Sequence, residues 1–184
     1  MKANTAHQRG RTRPAASGTR FTAIPCLLII RMQALELRIP PPAVAVLVAA
    51  AMWGISLVAP SLEVPAFIRV AAAVTIALAG GGFSLAGAIS FLRAGTTANP
   101  MKPETASSLV CSGIYNDTRN PMYVGLLLVL VAWAIFLSTA WALLGPLALV
   151  LYLNRFQIAP EERVLSARFG NDYAASKSRV RRWL

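Results

Sequence analysis

Apolar residues run along this chain in four long blocks separated by polar segments rich in proline and glycine. The first block is residues 42–60, PAVAVLVAAAMWGISLVAP, with 19 residues and no charge. At ~1.5 Å rise per residue it covers roughly the ~30 Å hydrocarbon core of a bilayer. Pro41 and Pro42 stand at its start, where a helix tolerates proline, and Pro60 closes it. The second block spans residues 67–92, with Arg69 near its beginning and Arg93 just past its end. Its middle, AGGGFSLAGA, carries Gly80, Gly81 and Gly82 in succession. Such a run weakens a soluble helix but lets helices pack closely in a membrane, so it predicts packing. The third and fourth blocks, residues 121–138 and 140–158, meet at Ser138 and Thr139. Asn120 is placed to cap the third and Pro121 to open it, and Gly145-Pro146 predicts a kink in the fourth.

The polar segments differ in kind. Residues 1–20 are basic without an acid, and 21–30 are apolar around Pro25. Together they imitate a signal peptide, but no A-x-A site follows and Arg31, Glu36 and Arg38 come next. Residues 1–40 are therefore expected to be a disordered basic tail, or to include a start misassigned ahead of Met32, with residues 41–184 forming the domain. Residues 93–120 are too long for a simple turn, and loops of this length are usually functional or disordered. After residue 158, the run PEERVLSARFGNDYAASKSRVRRWL reads as a polar helix, a break at Gly170-Asn171 and a basic end. Arg179, Arg181, Arg182 and Trp183 there suit a surface anchor on anionic lipid.

Composition narrows the class. Of 184 residues 56% are hydrophobic and only 14% charged, against about 25% charged in soluble proteins. The net charge of +11 would suggest nucleic acid in a soluble protein, but the basic residues gather beside the apolar blocks. Residues 1–40 hold seven Lys/Arg, 93–120 three and 155–184 seven, while 61–66 and 138–139 hold none. That distribution predicts an all-α, multi-pass protein of the inner or plasma membrane, with about four spans and no nucleic-acid partner. Both termini and the 93–120 loop would lie in the cytoplasm. Two cysteines, Cys26 and Cys111, are too few for a disulfide framework, and His7 is the lone histidine, so neither a His-based metal site nor a Ser/His triad is expected. No glycine-rich phosphate loop is present, which excludes a Rossmann domain.

The polar groups at the membrane border are the candidates for chemistry. Arg119-Asn120-Pro121-Met122-Tyr123 opens the third block, and as a flank, a cap, a helix start and an interfacial aromatic it has a purely structural explanation. Glu161 and Glu162 follow Pro160, where acids complement a helix dipole. They are also two of only seven acids, set just after a span, where acids face a cavity or a partner such as a cationic ligand or Arg155. Arg163 and Arg168 suit bidentate contact with an anion, or are plain cytoplasmic-face charges.

These residues resemble a known family. SGIYNDTRNPMYVG, about thirty mostly apolar residues, and then APEERVLSARFGNDY are similar to the isoprenylcysteine carboxyl methyltransferase family, part of a wider group with the phospholipid N-methyltransferases. Arg119, Asn120, Pro121, Tyr123 and Gly125 match its first motif; Glu161, Glu162, Leu165, Phe169, Gly170 and Tyr173 match its second. The resemblance covers residues 90–184. Many members have His where Asn120 stands, and a second Tyr where this chain has Ser176. The resemblance implies S-adenosylmethionine bound at the cytoplasmic end of the bundle, closed over by the loop and the C-terminal helices. Arg119, Asn120, Tyr123, Glu161 and Glu162 would bind it. A lipophilic small molecule or prenylated acceptor would enter between the helices from the lipid. Carboxyl O-methylation is the first expectation, with Arg163 or Arg168 positioning the acid. Phospholipid or lipophilic-amine N-methylation, with Glu162 as base, is the second, and a non-catalytic membrane subunit the third.

Overall fold

The computed structural model describes residues 36–95 and 109–184. The expectations for residues 1–35 and for the middle of the 93–120 loop lie outside the described residues. Among those described, every regular element is helical. Helix α1 is Pro41–Ser56, α2 Ala66–Arg93, α3 Pro121–Leu137, α4 Leu144–Tyr152 and α5 Ala159–Arg179. A short 3-10 turn, Gly113–Asn116, precedes α3, and another, Ala140–Leu143, leads into α4. A π-helical turn, Leu153–Ile158, joins α4 to α5 without a break.

Among the described residues, two helices are long and apolar enough to cross a membrane: α2, with mean hydropathy 1.7, and the continuous run Ala140–Arg179. Only 17% of the apolar window of α2 is buried inside the protein, so it is not the core helix of a soluble fold. Helices α1 and α3 are shorter apolar helices of 16 and 17 residues. Leu47, Leu78, Leu147 and Leu151 point outward, as on a lipid-facing surface. The boundaries fall within a few residues of the blocks seen in the sequence.

The longest interface lies between α2 and α3, and small residues create it. A Cβ on Gly80 would stand 2.7 Å from the Gly125 carbonyl oxygen, and one on Gly125 would collide with Ser84 and with Gly80. Gly87 similarly admits Met122 and Pro121. The expected glycine packing is thus carried by Gly80, while Gly81 and Gly82 meet nothing within 4 Å. On the other side of α3, the core gathers Val44, Ala45 and Met52 of α1 with Leu130, Ala134 and Leu149.

Proline and glycine act differently from expectation in the last run. Gly145 and Pro146 lie in the first turn of α4, where proline costs no helical hydrogen bond, and they do not kink it; Gly145 leaves room for the Met52 side chain. The irregularity comes later. Pro160 has no N–H to donate to the carbonyl four residues back, Phe156. That carbonyl instead accepts from the Leu37 backbone N–H at 3.2 Å. The π turn occupies the residues just before Pro160, and such turns recur at functional sites. Residues 36–40 thereby dock on this end of the bundle, and Glu36 pairs with Arg155 and Arg163. The break at Gly170 is present: its φ of 48° and ψ of −118° turn α5 back on itself.

Candidate functional site

The site forms where four chain segments meet at one end of the bundle. These are the entry to α3, the first turn of α5, the part of α5 beyond Gly170, and the extended C-terminal residues. Arg119 donates to Glu162 at 2.9 Å and to the Tyr173 hydroxyl at 3.4 Å. Arg182 grips the same carboxylate with two hydrogen bonds, of 3.1 and 2.7 Å, and Lys177 stands 3.6 Å from it. The Arg119 and Glu162 side chains are only 13% and 12% exposed, so this is a shielded cluster rather than a surface pair. Arg119 keeps its Nε buried with no hydrogen-bond partner. A hollow of about 370 Å³ opens beside the cluster, lined by Ala159, Glu162, Arg163, Ser166 and Lys177.

Glu161 faces elsewhere. Consecutive helical residues diverge by about 100°, and the π turn ahead of them fixes which way each points. Glu161 accepts from the Tyr123 hydroxyl at 3.1 Å, one turn inside α3, with Gln157 on the same hydroxyl. Tyr115 is close enough to feel its charge, and Tyr115 packs edge-on to Phe91 at 5.4 Å.

The two adjacent carboxyls are pushed apart in acidity. Burial drives Glu161 up to about 7; the Tyr123 hydrogen bond opposes this, and the charge of Glu162 adds to it. Burial also acts to raise Glu162, but the Arg182 hydrogen bond and the charges of Arg119, Arg182 and Lys177 win and hold it below its ordinary value. Glu162 is thus an anion locked among cations, and Glu161 a carboxyl that changes protonation near neutral pH. Burial, then the charge of Glu161, raises the Tyr115 phenol, which stays protonated.

The C-terminal residues strap the site. The Arg119 N–H donates to the Arg181 carbonyl at 3.0 Å, and the Asn120 side-chain amide donates to the Arg182 carbonyl at 2.9 Å. Trp183 donates to Asn154 at 3.2 Å. Arg182 and Trp183 are therefore turned onto the bundle, where the sequence suggested a lipid anchor, while Arg179 and Arg181 remain exposed.

Of the site residues expected from sequence, Arg119, Asn120, Tyr123, Glu161 and Glu162 come together. Asn120 stands at the N-cap position of α3 but makes no side-chain cap; its side-chain N–H instead donates to the strap. The acids do sit in the first turn of α5, yet the π turn runs straight into that turn, so there is no free helix start for them to complement. Arg163 lines the hollow beside Glu162 but is outside the ion cluster and pairs with Glu36, as does Arg155. Arg168 is exposed beside the Phe169 ring, 5.9 Å from its centroid. The second motif included Tyr173. Arg182, read as a lipid anchor, and Lys177 were missed as site residues, and no sequence spacing flagged them, because each joins the site only through tertiary folding.

No solved structure matches the chain. An uncharacterized protein of Haemophilus influenzae is 48% identical over 63 residues, which are its whole length and 34% of this chain. The family model for phospholipid methyltransferase matches residues 68–172, from α2 through the second motif. The chain therefore belongs to the phospholipid methyltransferase family, within the wider isoprenylcysteine carboxyl methyltransferase group, and is a membrane methyltransferase.

Proposed function

We propose that the protein transfers a methyl group from S-adenosylmethionine to a lipophilic amine, such as a phospholipid headgroup, at the cytoplasmic face of a four-span bundle. The lysine and arginine distribution supports this orientation, since the cluster and both termini then share the positively charged side. The residues at the site fit the methyl donor. The unpartnered Arg119 Nε suits its carboxylate, and Glu162 suits its amino group. S-adenosylmethionine supplies an electrophilic methyl carbon on a sulfonium.

The observation that carries the amine reading is Glu161. A protonated amine cannot attack until it loses a proton, and the base must have a pKa near the working pH. Glu162 was the base suggested by sequence, but an anion paired to three cations is a poor acceptor of protons. Glu161 titrates near 7, has no cation partner among the described residues, and is held in place by Tyr123. The Glu161 carboxylate would first take a proton from the ammonium acceptor, freeing the nitrogen lone pair to receive the methyl group that S-adenosylmethionine would supply, the donor sulfur departing as a neutral thioether. Tyr123 orients the Glu161 carboxyl, Tyr173 accepts from Arg119, and most of the remaining work is alignment.

A carboxylate acceptor is the second reading, favoured by one observation. The cluster sets three cations, Arg119, Arg182 and Lys177, against one carboxylate. That excess suits an acid, which is already ionised and needs no base. Purified protein supplied with methyl-labelled S-adenosylmethionine and vesicles of phosphatidylethanolamine, or a prenylated cysteine in detergent, separates the two. Label in the amine lipid supports the proposal. Label only in a base-labile ester overturns it in favour of the second reading, and label in neither acceptor counts against both.

A further inference from the structure

The opposite end of the bundle carries a cation that the methyl-transfer site does not use. Arg69 lies near the start of α2, 18 residues from Gly87, which packs against Pro121 at the site end. At ~1.5 Å per residue the two levels are roughly 27 Å apart, close to a bilayer core. Arg69 is the lone Lys/Arg at this end: residues 61–66 and 138–139 contain none. Its side chain makes no ion pair and no hydrogen bond to a described residue, and its Nε is buried without a partner. The Phe136 ring centroid lies 5.7 Å from the guanidinium carbon.

An arginine at this membrane border without an acid partner runs against the charge bias of the rest of the chain. With Nε buried and the ring to one side, the terminal Nη groups of the guanidinium are the donors left for a ligand. Those groups fit two oxygens of a phosphodiester. Beside it, Val70, Val74 and Leu78 form an exposed apolar stripe along α2, 43%, 52% and 71% exposed, that suits an acyl chain.

We infer that Arg69 and Phe136 form a phospholipid site in the leaflet opposite the methyl-transfer site, with the lipid phosphodiester held by the Arg69 guanidinium. The inference rests on membrane insertion alone and is independent of the acceptor or of catalysis.

Native mass spectrometry of the full chain, released from detergent with phosphatidylglycerol, tests it. Wild-type protein retains one lipid, and Arg69→Gln reduces the retained fraction at least tenfold. Arg69→Lys, which keeps the charge but not the fork, falls between them. Equal retention by wild type and a folded Arg69→Gln overturns the inference. Should that variant not fold, wild type decides alone in competition with diacylglycerol of the same acyl chains. Preference for the phosphate lipid supports the site, and equal retention of both overturns it.

Discussion

Replacing Glu161 by glutamine should stabilise the protein at alkaline pH while disabling it. A carboxyl whose folded pKa is raised is favoured in its protonated form. It therefore costs stability once the pH exceeds its unfolded value, and the cost grows until the pH passes its folded value. For Glu161 that window runs from 4.5 to about 7. At about pH 8 the cost approaches about 3 kcal/mol, at roughly 1.4 kcal/mol per pKa unit. Glutamine has nearly the same shape, still accepts the Tyr123 hydrogen bond and carries no charge to desolvate. Thermal unfolding in detergent should show wild type and Glu161→Gln melting together near pH 4.5. By about pH 8 the variant should melt higher by roughly 6–12 °C, the conversion for a chain of this size. Titration of Glu162 occurs in both proteins and cancels from the difference. Amine methylation by the same variant should fall by about 10²- to 10⁴-fold, the usual contribution of a general base. A melting difference that does not change with pH would refute the assignment of Glu161 as a desolvated carboxyl.

Other outcomes follow from the same geometry. Gly125→Leu should separate α2 from α3, because even a Cβ there collides with Ser84; overpacking of this kind costs about 1–3 kcal/mol or more, measured as a lower melting temperature. Glu162 has a lowered folded pKa, so its contribution to stability is present above 4.5 and is lost as the pH falls through the folded value. Acidification below 4.5 should therefore release the C-terminal strap, read as loss of hydrogen-exchange protection at the Arg119 N–H, corrected for the intrinsic rate, relative to the rest of α3. Because Arg182 and Lys177 still hold Glu162, Arg119→Ala should weaken binding of the methyl donor far more than it lowers the melting temperature.

Much of this was legible in the sequence because bilayer thickness dictates it. The apolar blocks gave spans close to the observed helices, and Gly170 announced a turn that few other residues could make. The pair of motifs identified Arg119, Tyr123, Glu161 and Glu162, which do meet. What could not be read was direction. Glu161 and Glu162 are neighbours with nearly opposite electrostatic surroundings, and the π turn that sets them has no simple sequence period. Asn120 was read as a cap because a local hydrogen bond was the cheapest assumption, yet a carbonyl 62 residues away holds its amide. Arg163 and Arg168 looked available because position along the chain does not reveal that Glu36 is waiting for the first.

The central claim is that the Arg119–Glu162 cluster holds the methyl donor. Calorimetric titration of detergent-purified protein with S-adenosylhomocysteine tests it most directly, with wild type beside Arg119→Ala and the Glu161→Ala/Glu162→Ala double variant. The account predicts saturable binding by wild type and its loss in both variants while they remain folded. Undiminished binding by the folded variants, or no binding by folded wild type, would contradict it.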